Sequence, residues 1–188
     1  NMLNTRYVIV PDQQTGRLSV QHNPEANGAA WFVDSVAFVE TPDLEIDALT
    51  TTDTKRVAVV DERFADALQG VVAADSTASI RMTEYRVNLQ RYEYTAPAEG
   101  VAVFSEIYYP HGWTAYVDGE EAPYFRADYV LRAMALPAGN HTVEFRFRAP
   151  HYAALTAVTR ACSLLLLAGL VAAVSVAAVR KRKQTENS

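Results

Sequence analysis

Cysteine is almost missing from this chain of 188 residues: Cys162 stands alone inside an apolar run, so neither an intrachain disulfide nor a cysteine-based metal site can form. Glycine is sparse, with eight residues, none of them grouped into a loop that would cradle a phosphate. His22, His111, His141 and His151 are scattered without metal-ligand spacing, and Ser105 lacks the flanking glycines of a nucleophile elbow. No cofactor or metal is therefore expected. A basic stripe with interleaved aromatics is also lacking, and residues 1–150 carry 12 basic against 21 acidic groups, which would repel a phosphate backbone and argues against nucleic acid as a partner. The opening Asn-Met-Leu-Asn-Thr-Arg-Tyr has no charged n-region, apolar h-region or small-residue cleavage site, so it does not read as a signal peptide.

What is present is divided unevenly. All eight prolines, 21 of the 22 acidic residues and nine of the ten tyrosines precede residue 151, while residues 151–188 carry a net charge of +4. From Ala161 to Val179 there are 19 residues without a charge or a proline, about 28 Å of helix and close to the thickness of a hydrocarbon core. The sequence thus predicts a transmembrane helix over 152–179. Arg180, Lys181, Arg182 and Lys183 follow at once, and the positive-inside rule places that basic tail, 180–188, in the cytoplasm and residues 1–150 outside. An outward domain without a signal peptide is expected to be the C-terminal piece of a longer membrane protein with earlier spans.

The outward region reads as mainly β. Val143, Phe145 and Phe147 alternate with Thr142, Glu144, Arg146 and Arg148, the period-two signature of a strand with one buried face. The run Tyr129 to Ala135, turned by Leu136-Pro137-Ala138-Gly139-Asn140, is expected to pair with it as a hairpin. Trp113 to Val117 leads into Asp118-Gly119, a type I′ turn signal, with Tyr124 and Phe125 on the returning strand. Further strands are predicted over Tyr7 to Val10, Leu18 to Gln21, Trp31 to Val39, Arg56 to Val60, Ser79 to Val87, Leu89 to Thr95 and Val101 to Tyr109. Two short connecting helices interrupt them: one capped by Thr41 and ending near Leu49, the other capped by Asp61, spanning Glu62 to Leu68 and stopped by Gly70. The expected fold is an antiparallel β-sandwich, jelly-roll-like, followed by one membrane helix, with 1–76 as a possible α+β lobe and 77–150 as the sandwich proper.

Eight tyrosines fall between Tyr85 and Tyr129, together with Trp113 and interspersed acids. Aromatic faces beside carboxylates suit a pyranose, whose ring offers an apolar C–H face and a rim of hydroxyls. The competing reading is structural, because tyrosine and tryptophan are favoured strand residues that fill cores. The candidate glycan or acceptor contacts are Tyr108, Tyr109, Trp113 and Tyr116, with Glu106, Arg126 and Arg132. Glu106 shares a face with Ala102 and Phe104 and is expected to pair with Arg126 or Arg132. Nothing in the sequence selects a carboxylate pair for glycoside hydrolysis. Asn140-His141-Thr142 matches an N-glycosylation acceptor, relevant only where a secretory pathway reads it.

Several strings together resemble the C-terminal region of YfhO-type bacterial polytopic membrane proteins. They are Asn1-Met-Leu-Asn-Thr-Arg-Tyr-Val-Ile9, Asn27-Gly-Ala-Ala-Trp-Phe-Val33, Ser105-Glu-Ile-Tyr-Tyr-Pro-His-Gly-Trp113, Arg126-Ala-Asp-Tyr-Val-Leu-Arg132, Pro137-Ala-Gly-Asn-His141 and Phe147-Arg-Ala-Pro-His-Tyr152. The resemblance implies a large envelope protein similar to lipid-linked-sugar glycosyltransferases of GT-C architecture, whose catalytic acid is expected upstream. This region would then hold or present an acceptor, its partners being membrane lipid, a glycan or envelope polymer and the remaining spans of the parent chain. No catalytic residue is carried over onto it. Asp128 stands where the family pattern more often has Asn, so that side chain receives no role from the resemblance. The alternative is a structural or protein-interaction ectodomain, which would show an exposed apolar patch without convergent polar groups.

Overall fold

A computed structural model describes residues 1–12, 16–68, 71 and 77–186. It falls into two units, Asn1–Arg148 and Ala149–Ser188. The first is a β-domain. Its strands are β1 (Tyr7–Pro11), β2 (Leu18–His22), β3 (Ala30–Phe32), β4 (Ser35–Val39), β5 (Val57–Asp61), β6 (Ser79–Arg86), β7 (Leu89–Ala96), β8 (Gly100–Ile107), β9 (Trp113–Val117), β10 (Glu120–Ala122), β11 (Phe125–Ala127), β12 (Leu131–Leu136) and β13 (Gly139–Phe147).

Two antiparallel sheets face each other. One has the order β10-β9-β13-β7-β6, the other β11-β12-β8-β3. Tyr92, Ala115, Val143 and Phe145 from the first meet Phe104, Met134 and Leu136 from the second in one apolar cluster, the sandwich core. Alternation decides which side chains enter it. In β7, Gln90, Tyr92, Tyr94 and Ala96 turn inward and Glu93 and Thr95 outward, and β13 does the same with Val143 and Phe145. The Tyr92, Phe104 and Phe145 rings meet edge to face at 4.9 to 6.3 Å, the arrangement their quadrupoles favour.

A third layer covers the other face of the four-stranded sheet. β4 and β5 run parallel, joined by helix α1 (Pro42–Ala48), and a 3-10 helix, Glu62–Leu68, follows β5. Ala58, Val60 and Leu68 of this layer bury Val101, Val103, Leu131 and Ala133. With both faces covered, β8 and β12 are apolar nearly throughout rather than alternating. The Thr41 cap of α1 holds as expected, its Oγ1 accepting from Leu44 N at 3.3 Å, and Pro42 occupies the first turn. The second connector is 3-10 rather than α, with Arg63 N donating to Asp61 Oδ1 at 3.0 Å; its expected stop, Gly70, lies outside the described residues.

Three pairing expectations are corrected. β12 and β13 do not form a hairpin: β12 pairs with β8 and β11, β13 with β7 and β9, and Pro137-Ala138 carries the chain from one sheet to the other. Asp118 and Gly119, at φ 50° and 88°, do make the tight turn after β9, but the returning strand is Glu120–Ala122, and Phe125 already belongs to the opposite sheet. The run Trp31 to Val39 breaks at Val33, whose N–H donates to Val101 O at 3.0 Å, while Asp34 N–H bonds Arg56 O at 2.7 Å. Its two halves therefore join different sheets.

The second unit is helix α2 (Tyr152–Glu186), of which Tyr152–Ala178 is long and apolar enough to cross a membrane. The hydroxyls of Thr159, Ser163 and Ser175 donate to carbonyls one turn back, at 2.8 to 2.9 Å, so none is left bare in an apolar surrounding. The helix backbone continues through Arg180 to Glu186; the side chains of Lys181, Arg182 and Lys183 lie outside the described part.

Candidate functional site

The structure separates the seven predicted contact residues into three places. Arg132 is buried and crosses the sandwich core: Nη1 donates to Gln90 Oε1 at 3.0 Å, Nε to Ile107 O at 2.9 Å, and Cζ lies 4.2 Å from the Trp113 ring centroid. Burial pulls this guanidinium below its ordinary pKa, against the pull of half-buried Glu106. Glu106 makes no ion pair or hydrogen bond with Arg132 or Arg126 among the described residues, so that expectation is corrected. Tyr108 stacks edge-on to Phe64 at 5.8 Å and tilts against Tyr124 at 5.5 Å, and the Tyr124 hydroxyl donates to Tyr109 O or Trp113 O at 3.3 Å. Tyr108 and Trp113 thus serve packing first, while Tyr109 is half exposed.

Arg126 belongs to a second, buried node that sequence reasoning missed. Its Nη2 donates to Glu45 Oε2 and lies 3.7 Å from Asp61, and its Cζ sits near the rings of Phe64 and Tyr129. Glu45 is 0% exposed, while its neighbours Leu44 and Ile46 on α1 are 48% and 45% exposed. The helix is therefore inverted relative to hydrophobic expectation, because Glu45 also accepts the Tyr129 N–H at 2.8 Å. Asp128 and Tyr129 both have positive φ, 48° and 68°, a strained pair for residues with side chains. Asp128 closes β5 by donating its N–H to Val59 O and accepting Val59 N–H at Oδ1, 2.9 Å, while Oδ2 is buried without a partner among the described residues. Burial pushes its carboxyl up to about 7, and neighbouring Glu45 adds to the rise.

The third place is solvent-facing. Outward side chains of the five-stranded sheet form a surface of acids, arginines, hydroxyls and one amide. Arg81 pairs with Glu93, and Thr95 Oγ1 donates to Asn140 Oδ1. Arg91 joins Glu84 and Glu144 at 2.6 and 2.8 Å, and Arg146 also meets Glu144. Burial raises the Glu144 carboxyl, but hydrogen bonds from Arg91 and Arg146 outweigh it and hold the group below its ordinary range. Near the β9–β10 turn, Asp118 Oδ1 accepts Thr142 N at 2.9 Å and Oδ2 faces His141 Nδ1 at 2.5 Å, while His141 Nε2 faces Ala138 O at 3.0 Å. Both ring nitrogens face oxygen acceptors, so the ring that satisfies both is the doubly protonated one. The His141 pKa is accordingly raised, first by Asp118 and then by Ala138, and that of Asp118 is lowered, first by the Thr142 N–H and then by His141.

A hollow of about 480 Å³ opens beside this pair, lined by Arg81, Glu93, Thr95, Asp118, Asn140 and Thr142 among others. A second, of about the same volume, shares Asp118 and Thr142 and extends to Arg91 and Glu144. Such a surface presents many paired hydrogen-bond donors and acceptors to solvent. The sequence carried a usable signal for it, since Arg81, Glu93, Thr95, Asn140, Thr142 and Glu144 are the polar halves of alternating strands. Among the described residues no group of three or more metal-ligating side chains occurs. Tyr116 faces outward further along the sheet, under the Arg146 guanidinium.

No curated protein and no solved structure matches the chain. A family model does, that of the bacterial membrane protein YfhO, over residues 42–159, which takes in α1, the strands from β5 onward and the first turns of the apolar helix; the chain belongs to that family.

Proposed function

We propose that the β-domain is the glycan-contacting accessory part of an envelope membrane protein, holding an acceptor polymer for transfer from a lipid-linked sugar by residues elsewhere in the parent protein. In this reading the domain is extracytoplasmic and the basic tail cytoplasmic, as the charge order favours. The observation that carries the reading is the open polar face around Asp118 and His141. Two adjoining hollows there are bordered by carboxylates, guanidinium groups, an amide and hydroxyls, the groups that exchange hydrogen bonds with sugar hydroxyls.

The test is saturation-transfer NMR on the full chain in nanodiscs, with soluble oligosaccharide fragments of envelope polymers. Binding at millimolar ligand that is lost in Asn140→Ala and Thr95→Val is the expected result. Saturation transfer that survives both substitutions, or none with any fragment, overturns the reading.

A second reading has its own observation. The β1–β2 hairpin presents Tyr7, Ile9, Leu18 and Val20 on one face, each more than 60% exposed, and two strands alone rarely persist in water. That face suits a protein-interaction ectodomain. Crosslinks from position 9 to another protein, with no saccharide bound, would favour it.

A further inference from the structure

One end of the β-domain brings exposed apolar side chains, arginines and a small hollow together. Phe147 N–H donates to Asn88 O at 2.9 Å and Arg148 N–H to Gly112 O at 2.8 Å, so the β6–β7 turn and the loop before β9 flank the last residues of β13. Val87, at the tip of that turn, is 94% exposed, and Tyr85, Ile107 and Tyr109 are exposed at the same end. Arg86 is held by Glu84 and Arg146 by Glu144, whereas Arg148 has no ion pair among the described residues.

Between them lies a hollow of about 500 Å³, lined by Asn88, Thr114, Tyr116, Arg146 and Arg148. Arg146 Cζ stands 4.6 Å from the Tyr116 ring centroid, and the Tyr116 hydroxyl has no hydrogen-bond partner among the described residues. A fixed guanidinium, an unpaired one and a free hydroxyl around one small hollow make a seat for a phosphate.

An aliphatic tip and half-exposed tyrosines beside arginines are the chemistry of a protein surface at the acyl–headgroup boundary. Residues 1–150 are strongly acidic overall and are repelled by an anionic bilayer, whereas Arg86, Arg146 and Arg148 gather here. Three residues, Ala149–His151, connect this end to α2, a reach of at most about 14 Å.

We propose that this end of the domain rests on the bilayer that α2 crosses, with Val87 and Tyr109 in the interface and Arg148 and Tyr116 holding the phosphate of an anionic lipid headgroup. The inference rests on α2 being a membrane span and is independent of glycan binding.

The experiment uses the full chain with Cys162→Ser, carrying an environment-sensitive fluorophore at Val87→Cys or at Glu99→Cys. Glu99 lies in the β7–β8 turn, at the opposite end of the sandwich. The protein is reconstituted in vesicles of phosphatidylglycerol or of phosphatidylcholine, and headgroup spin-labelled lipid is the quencher. Strong quenching at 87 in phosphatidylglycerol vesicles, little at 99, and a drop of about fivefold in the lipid-dependent contact with Arg148→Gln are expected. Val87 and Arg148 are exposed, so loss of folding does not confound these variants, and unchanged circular dichroism checks it. Equal quenching at 87 and 99, or quenching at 87 indifferent to lipid charge and to Arg148→Gln, overturns the proposal. Arg148-dependent binding of soluble glycerol phosphate in neutral detergent, without quenching at 87 in vesicles, also overturns it by assigning the hollow to a soluble phosphate.

Discussion

The two sheets of the sandwich share a core but not an environment. The five-stranded sheet has one face in the core and the other in water, and its central strands alternate accordingly. The four-stranded sheet is covered on both sides, by its partner sheet and by the β4-α1-β5 layer, so a single strand such as β8 is buried from Gly100 to Phe104. The first sheet keeps its chemistry on the outside, as the Arg81, Glu93 and Asp118 surface. The second keeps it inside, as Arg126, Glu45 and Asp128. A polar side chain on the open sheet exchanges its bonds with water cheaply, whereas one beneath the covered sheet must find every partner in the protein.

The strongest way to break that contrast is Phe104→Ala. Phe104 is fully buried against Tyr92 and Phe145 where the two sheets meet, and its truncation is expected to cost about 3–5 kcal/mol. Urea unfolding followed by Trp31 and Trp113 fluorescence measures it. A loss below about 1 kcal/mol would mean that the sheets do not share this core.

The same contrast explains what is legible in the sequence. β13, Asp118-Gly119, the Thr41-Pro42 cap and the membrane span each write their signal within a few consecutive residues. Partner choice does not. Nothing local in Leu131–Leu136 distinguishes pairing with β13 from pairing with β8, and an apolar run buried on both faces loses the alternation that would mark a face. The parallel β4–β5 pair was hidden because Trp31 to Val39 reads as one strand until Val33 and Asp34 bond in different directions. Glu45 was illegible for a further reason: its burial depends on Arg126 and Tyr129, more than 80 positions away. Of the predicted contacts, Tyr108 and Trp113 were recognisable as aromatic strand-end residues, but whether an aromatic ring faces water or Arg132 is decided by the opposite sheet.

Glu45→Ala tests the covered side directly. It leaves the Arg126 guanidinium mostly buried with only Asp61 at 3.7 Å, and it frees the strained Asp128-Tyr129 turn. A destabilisation of about 3 kcal/mol is expected, read by the same unfolding assay. Glu45→Ala with Arg126→Met should recover much of it; a double variant no better than the single one would show that the ion pair is not the cause.

Asp128→Asn separates charge from shape at the same node. The folded-state pKa is raised to about 7 from an ordinary 3.8, so the folded protein holds this proton more tightly than the unfolded chain. Its contribution is therefore fully present below about pH 4, declines between pH 4 and 7, and is gone above that window. Glu144 and Asp118, whose pKa values are lowered, act in the opposite sense at acid pH, so the informative quantity is the difference between wild type and variant. An asparagine side chain suits positive φ and cannot ionise. Relative to wild type the variant should gain on the order of 4 kcal/mol between pH 4 and pH 8. A difference independent of pH would remove Asp128 from the set of buried, neutral carboxyls.

The smallest effect is expected on the open sheet. Arg81 and Glu93 form an ion pair between neighbouring strands with both side chains about half exposed or more, so water and salt replace most of what either loses. Arg81→Ala and Glu93→Ala are each expected to change unfolding free energy by less than about 0.5 kcal/mol, with a coupling energy no larger. Both line the hollow beside Asp118, so the same substitutions should weaken saccharide binding while stability is unchanged. That split defines a surface kept for contact rather than for folding. A loss of stability comparable to that of Glu45→Ala would instead place this face, like the covered one, inside an interface the domain needs in order to fold.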